Sequence, residues 1–216
     1  MESKLFTPVT FGPLTLRNRT IRSAAFESMC PGNAPSDMLL DYHRSVAAGG
    51  IGMTTVAYAA VTQSGLSFDR QLWMRPEIIP GLRRLTDAIH AEGAAAGIQL
   101  GHCGNMSHKS ICGCMPVGAS SGFNLYSPTF VRGLRADELP EMARAYGRSV
   151  NLAREAGFDS VEIHAGHGYL ISQFLSPSTN HRKDEFGGSL QNRMRFMDMV
   201  MEEVMKAAGN DMAVFV

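Results

Sequence analysis

The sequence predicts an α/β protein, a TIM (β/α)8 barrel of which this chain holds about the first four βα units and a fifth strand. Strand-like and helix-like segments alternate along the 216 residues, which is typical of a parallel sheet covered by helices. No GxGxxG phosphate loop follows the first strand, as an open doubly wound sheet would show. Because eight units need about 250 residues, we expect residues 1–216 to be the N-terminal part of a single barrel domain, with its C-terminal strands missing.

The individual elements are predicted from apolar patterning and from residues that begin or end helices. Residues 51–57 form a β-branched apolar run without alternation, as expected for a strand buried on both faces. Asp37 and Asp137 stand where two helices begin, and Gly93 stands where another ends. The predicted strands are residues 20–26, 51–57, 95–100, 158–164 and 212–216. The predicted helices are residues 37–48, 77–92, 137–150 and 189–208, and a long excursion rich in glycine, serine and cysteine occupies residues 102–135.

Composition narrows the class of protein. The 20 basic and 20 acidic side chains give a formal net charge of zero, so nothing favours binding to nucleic acid or to an anionic membrane. No apolar run approaches the roughly 20 residues that a membrane span needs. The first residues lack a basic segment followed by an apolar one, so no signal peptide is expected. We therefore expect a cytoplasmic protein with no membrane and no nucleic-acid partner.

The cysteines leave two interpretations open. Cys103, Cys112 and Cys114 lie within twelve residues, close to His102 and His108, which could indicate a metal or iron–sulfur site. However, neither CxxC nor a regular four-ligand spacing is present. Reduced thiols on a long loop are the favoured interpretation, and no metal site is predicted.

Residues at the carboxyl ends of barrel strands line the active site, so these positions are the candidates for chemistry. A glutamine amide there could donate to and accept from the edge of a heterocycle. Two imidazoles and a phenol on one loop could hold a carbonyl oxygen and supply a proton. The four predicted strand ends carry Ala24, Ala25 and Phe26; Ala59 and Ala60; Gln99 and His102; and His164, His167 and Tyr169.

The spacing His164-x-x-His167 is also compatible with a metal pair. Such a site would need a third, acidic ligand, and the nearest carboxylates are Glu162, Asp184 and Glu185. From spacing alone, a metal-dependent barrel hydrolase and a redox enzyme are about equally supported.

A resemblance separates these alternatives. Residues 164–177, HAGHGYLISQFLSP, continue through Asn180, Arg182, residues 184–189 and Arg193. This segment resembles the signature of the Old Yellow Enzyme family, the NADH:flavin oxidoreductases. Weaker similarities precede it in the expected order: Leu5-Phe6 with Asn18-Arg19, Gly49-Gly50-Ile51-Gly52 before Ala60, and Gln99-Leu100 before His102.

The resemblance implies a (β/α)8 barrel that binds FMN, takes hydride from NADH or NADPH and passes it to an alkene conjugated to a carbonyl group, as in an enone. It implies that Gln99 contacts the pyrimidine edge of the flavin. It further implies that the isoalloxazine is contacted by Ala24, Ala25, Phe26 and Ala60. In the same way His164 and His167 would bind the activating oxygen of the substrate, and Tyr169 would donate a proton. A homo-oligomer is a further expectation.

Three positions depart from the pattern of this family. Phe26 stands where many members have cysteine or threonine, Asn105 stands where arginine is common, and Ala57 stands where an acidic residue is frequent. The end of the second strand is therefore expected to be less polar than usual, and the flavin environment near Phe26 to differ.

Overall fold

The computed structural model describes residues 3–216. Its strands are β1 (Val9–Phe11), β2 (Leu14–Leu16), β3 (Ile21–Arg22), β4 (Met53–Ala60), β5 (Leu72–Trp73), β6 (Ala95–Gly101), β7 (Val117–Gly118), β8 (Gly122–Asn124), β9 (Thr129–Gly133), β10 (Ser160–Ile163) and β11 (Ala213–Phe215). Its α-helices are α1 (Asp37–Ala48), α2 (Ile79–Ala91), α3 (Lys109–Cys112), α4 (Leu139–Glu155), α5 (Leu170–Leu175) and α6 (Leu190–Ala208).

The central sheet is parallel and follows the order of the chain. Within residues 3–216, five strands lie in the order β3, β4, β6, β10 and β11, and the short β5 pairs with the end of β4. The helices α1, α2, α4 and α6 connect these strands in turn. Four βα units and a fifth strand are thus present in the described part of the chain, arranged as part of a barrel.

The sheet is buried on both faces, as its composition predicted. Val56, Ile98 and Val161 are fully buried in three neighbouring strands. The helices cover them with apolar faces, of which Leu82 on α2 and Val150 on α4 are examples. The core therefore lies between the sheet and the helices, and side chains at the carboxyl ends of the strands are left for a site.

A hairpin covers the opposite, amino-terminal end of the strands. β1 and β2 pair antiparallel around Gly12, whose φ of 55° places it in the left-handed region that favours glycine. Leu14 and Leu16 of the hairpin pack against Met53 and Ala213, which begin β4 and β11. The sequence analysis did not predict this hairpin, because its strands have only three residues each.

Several predicted boundaries need correction. Ser36, not Asp37, caps α1, because its hydroxyl accepts from the backbone N–H of Leu39. Asp137 lies inside a short 3-10 turn, Ala136–Glu138, that leads into α4. The first strand pairs over Ile21–Arg22 alone, and α5 occupies a stretch that was expected to be a loop.

The long excursion after β6 contains small elements of its own. The helix α3 is followed by β7, β8 and β9, which form a separate sheet in the order β7, β9, β8. Cys103 and Cys112 are buried free thiols, and Cys114 is exposed. Among residues 3–216, no group of three or more His, Cys, Asp or Glu residues is arranged to hold a metal ion.

No helix in the described residues 3–216 is long and apolar enough to span a membrane.

Asp159 joins the helix layer to the sheet just before β10. Its Oδ2 accepts from the backbone N–H of Ala96 at 2.7 Å and from His90 Nε2 at 2.8 Å. This hydrogen bond with Asp159 raises the pKa of the His90 imidazole above its usual value of 6.5. Folding therefore favours the protonated form of His90.

The raised pKa of His90 predicts a pH-dependent contribution to stability. The contribution is fully present below the unfolded pKa of about 6.5 and is lost as pH rises through the higher folded pKa. His90→Gln should therefore lower the free energy of unfolding more at pH 5.5 than at pH 9, as measured by urea denaturation. In an Asp159→Asn background the same substitution should show little pH dependence. An equal loss at both pH values would contradict the assignment.

Candidate active site

A cavity of about 240 Å³ opens at the carboxyl ends of β3, β4, β6 and β10. Of the eight side chains predicted from the sequence, seven line it: Ala24, Ala25, Phe26, Gln99, His164, His167 and Tyr169. Ala60 does not line it and is fully buried. The wall is completed by residues that the sequence analysis did not select: Glu27, Ser28, Cys30, Ala57, Tyr58, Phe68, Arg70, Gln71 and Leu72.

The two β4 residues on the wall, Ala57 and Tyr58, lie at a β-bulge. The pairing of β4 with β6 matches Val56 to Ile98 and then Ala59 to Leu100, so β4 holds one extra residue. A bulge changes the side of the sheet to which the following side chains point. Alternation along an unbroken strand could not have predicted this change.

Tyr58 is the larger of the two β4 side chains on the wall. Its hydroxyl donates to the Gly65 carbonyl at 2.7 Å, and its ring meets His164 and Tyr169 edge-on at centroid distances of 5.9 and 5.3 Å. A Cβ at Gly101 would lie 2.4 Å from the ring, so the glycine in β6 makes room for it. Tyr58 therefore supports the His164–Tyr169 side of the cavity.

Gln99 presents a free carbonyl oxygen beside the cavity. Its amide nitrogen donates to Glu162 Oε1 at 2.5 Å. The two residues are direct partners across β6 and β10, which explains the short contact. Within the described residues its side-chain oxygen has no hydrogen-bond donor, and it is available to an N–H group of a ligand.

The two histidines are hydrogen-bonded to one another. His167 Nδ1 lies 3.1 Å from His164 Nε2, and the Gly166 N–H donates to His164 Nδ1 at 3.3 Å. Because Nδ1 of His164 accepts, the proton of a neutral His164 lies on Nε2. Burial, followed by the charge of His167, lowers the pKa of His164 to about 4. His164 is therefore a neutral donor near pH 7.

The loop carrying these residues has an unusual backbone. His167 has a φ of 53°, a left-handed conformation that is uncommon for residues other than glycine. It is followed by Gly168 with a φ of 69°. This turn brings the His167 ring to 5.0 Å from the His164 ring, and the Tyr169 ring to 4.8 Å from it. Burial raises the pKa of Tyr169, and its contact with Ser67 opposes this rise.

Glu27 is a buried carboxylate on the cavity wall that the sequence analysis missed. Its Oε1 accepts from Arg22 Nη1 at 2.6 Å and from His43 Nε2 at 3.0 Å. Its Oε2 accepts from the backbone N–H of Ala57 at 3.2 Å. Ala57 was singled out as a position where an acidic residue is frequent in the resembling family. Here a carboxylate reaches the same place from the segment after β3.

Two of the three carboxylates considered for the alternative metal site are engaged elsewhere. Glu162 bonds to Gln99, and Asp184 forms an ion pair with Arg182 at 2.5 Å. His102, which stood beside the cysteines in the separate metal or iron–sulfur interpretation, is fully buried and interacts with Ser64 Oγ at 3.0 Å.

Comparison with known proteins gives one consistent result. The family model for the NADH:flavin oxidoreductase / NADH oxidase family matches residues 4–216. A 4,4'-dithiodibutanoate disulfide reductase of Rhodococcus erythropolis is 42% identical over 97% of this chain and 52% of its own length. An NADPH dehydrogenase of Bacillus subtilis (strain 168) is 37% identical over 94% of this chain and 60% of its own length.

Solved structures show the same relationship. A 2-naphthoyl-CoA reductase in complex with 2-naphthoyl-CoA superimposes with a TM-score of 0.92 at 29% identity, over 98% of this chain and 34% of that one. An old yellow enzyme homologue from Zymomonas mobilis gives a TM-score of 0.90 at 30% identity, over 98% of this chain and 62% of that one. The chain thus spans about half the length of the curated relatives it matches.

The low pKa of His164 can be tested directly. We expect its imidazole to titrate with a midpoint near pH 4, because burial disfavours the charged form. The measurement is an NMR pH titration of the histidine side chains, with the resonance assigned by its loss in His164→Gln. A midpoint near 6.5 would contradict the buried, neutral state.

Proposed function

The chain belongs to the NADH:flavin oxidoreductase / NADH oxidase family, and from this premise we propose that the protein reduces alkenes conjugated to a carbonyl group. The family match and the NADPH dehydrogenase relatives support FMN as cofactor and NADH or NADPH as reductant. The observation that carries the proposal is that Gln99, His164, His167 and Tyr169 surround one cavity at the carboxyl ends of the strands.

The residues present fit a flavin. Ala24, Ala25 and Ala57 give one part of the wall small side chains, which leave space for a flat ring. Gln99 offers a carbonyl oxygen to a ring N–H, as the pyrimidine edge of FMN has. We propose these residues as flavin contacts, together with Phe26. Ala60 does not line the cavity, and its contact with the flavin remains a prediction from the family resemblance.

When bound, FMN supplies the hydride chemistry, and the protein supplies orientation and electrostatics. We assign His164 and His167 to the carbonyl oxygen of the substrate. The Nε2 protons of both rings become available to that oxygen when it replaces the hydrogen bond between the two rings. Neutral donors placed where negative charge develops stabilise the transition state without reorganisation.

We propose that Tyr169 donates a proton to the alkene carbon that does not receive the hydride. Its hydroxyl is protonated near pH 7, since burial raises its pKa. The ring lies 4.8 Å from that of His164, so the donor and the carbonyl-binding pair act on neighbouring atoms of one substrate. Tyr58 is not a candidate donor, because its hydroxyl is bound to the Gly65 carbonyl.

A disulfide is a second candidate acceptor. It is favoured by the 42% identity to the Rhodococcus disulfide reductase over nearly the whole of this chain. The same cavity would serve both reactions, so the acceptors must be compared on one preparation of protein.

The proposed function is tested by an absorbance spectrum of the whole purified protein. We expect a yellow protein whose flavin absorbance bleaches with NADH or NADPH and returns on addition of an enone. Recovery with a dialkyl disulfide, but not with the enone, would favour the second acceptor. A colourless protein with stoichiometric zinc would overturn the proposal.

Tyr169→Phe should slow the step that consumes the enone and leave bleaching by NAD(P)H unchanged. General acid catalysis contributes about 10²- to 10⁴-fold, so a loss of at least about 100-fold is expected in the enone step. Stopped-flow absorbance separates the two steps. Tyr126→Phe is the matched control, because Tyr126 is 93% exposed and does not line the cavity. Equal rates of enone reduction in wild type and Tyr169→Phe would refute the assignment.

A further inference from the structure

One arginine on the cavity wall has no role in the chemistry proposed above. Arg70 lines the cavity together with Phe26 and Phe68, and its side chain is exposed. Among residues 3–216, it is the one arginine or lysine on this wall, and neither a hydrogen bond nor an ion pair engages its guanidinium there. Most arginines of the described chain are engaged in such contacts, as Arg22 and Arg75 are.

The segment that carries Arg70 is held rigidly. The Arg70 carbonyl accepts from the Cys30 N–H at 3.1 Å. The Asn33 amide donates to the carbonyls of both neighbours, Asp69 at 2.8 Å and Gln71 at 2.9 Å. A fixed backbone under a free guanidinium lowers the entropy lost when the side chain engages a ligand.

The rest of the cavity leaves the charge of Arg70 uncompensated. Glu27 is the acidic residue on the wall, and Arg22 lies 2.6 Å from its carboxylate. Burial raises the pKa of the Cys30 thiol to about 12, so this thiol is neutral. Arg70 and Cys30 line the same cavity, so the guanidinium faces a neutral thiol and no unpaired carboxylate there.

An apolar surface lies beside this charge. The rings of Phe26 and Phe68 pack at 4.6 Å between centroids, although the two side chains are 67% and 47% exposed. Exposed aromatic rings next to one free cation suit a ligand with an apolar body and an anionic end. Guanidinium groups bind carboxylates and phosphates through paired N–H donors.

We propose that Arg70 forms an anion-binding subsite and that the natural acceptor carries a carboxylate or phosphate group beyond its reactive alkene. This inference rests on the proposed function. The reactive end of the acceptor lies against His164 and His167, its apolar body lies against Phe26 and Phe68, and its anionic group pairs with Arg70. Arg70 thereby determines specificity and takes no part in hydride or proton transfer.

The test compares two enones that differ in one charge: 4-(3-oxobut-1-enyl)benzoate and its methyl ester. Both are titrated calorimetrically into the oxidised, flavin-loaded protein without NAD(P)H, and their KM values are measured separately. We expect the acid to bind more tightly than the ester. Arg70→Gln should weaken binding of the acid about two- to fivefold and leave the ester unchanged, which is the upper part of the range for an exposed ion pair.

Two further variants make the result specific. Arg70→Glu should reverse the preference, so that the ester binds more tightly than the acid. Arg44→Gln is the matched control, since it removes the same charge from the outer surface of α1, where Arg44 pairs with Asp41. Added salt should weaken binding of the acid more than binding of the ester.

The outcomes separate the two proposals. If neither enone returns the flavin absorbance in wild type, the proposed function fails. If both enones are reduced but wild type does not prefer the acid, or Arg70→Gln affects acid and ester equally, the anion subsite is refuted and the proposed function stands.

Discussion

The loops that follow β4, β6 and β10 meet at one buried imidazole, and the cavity depends on that junction. His102 is fully buried, and burial lowers its pKa to about 3, so its ring is neutral. The Gly104 N–H donates to Nδ1 at 3.0 Å, which leaves the ring proton on Nε2 to donate to Ser64 Oγ at 3.0 Å. The Leu170 N–H donates to the His102 carbonyl, and a Cβ at Gly65 would lie 3.0 Å from the ring. The loops after β4, β6 and β10 are therefore positioned by His102, which does not itself line the cavity.

A glutamine extends this junction to the histidine pair. Gln173 on α5 donates to the carbonyls of Cys103 at 3.2 Å and Gly168 at 2.6 Å, and accepts from the Asn105 N–H at 3.2 Å. Asn105, which departs from the family pattern, is thus bound by the scaffold. The strained turn at His167 persists because buried hydrogen bonds fix the next residue along the chain.

Periodicity and strand ends predicted the part of the site that follows from regular geometry. The carboxyl ends of parallel strands meet on one side of a sheet, so Gln99 and His164 could be placed together before any contact was known. The bulge in β4 could not be predicted, because one extra residue changes the direction of side chains without changing the apolar character of the strand. Tyr58, which lies in this bulge, was missed, whereas Ala60 was chosen from the resemblance to the Old Yellow Enzyme family. The partners of Glu27 could not be predicted from the sequence either, because two of them lie 16 and 30 residues further along the chain.

The charged groups of the cavity differ in whether they are buried or exposed to water. A buried carboxylate is costly unless it is paired and hydrogen-bonded, and Glu27 meets that requirement through Arg22, His43 and the Ala57 N–H. Its charge is thereby compensated within the wall, and its contacts also join β3, α1 and β4. Near the reacting atoms the wall presents neutral hydrogen-bond donors such as His164. A neutral donor stabilises an oxygen of the substrate only when its N–H points at that oxygen. Arg70, by contrast, is exposed to water on the same wall, so its charge does not carry the cost of burying an ion. Orientation of the reacting group and selection of the ligand by charge are therefore carried out by different residues.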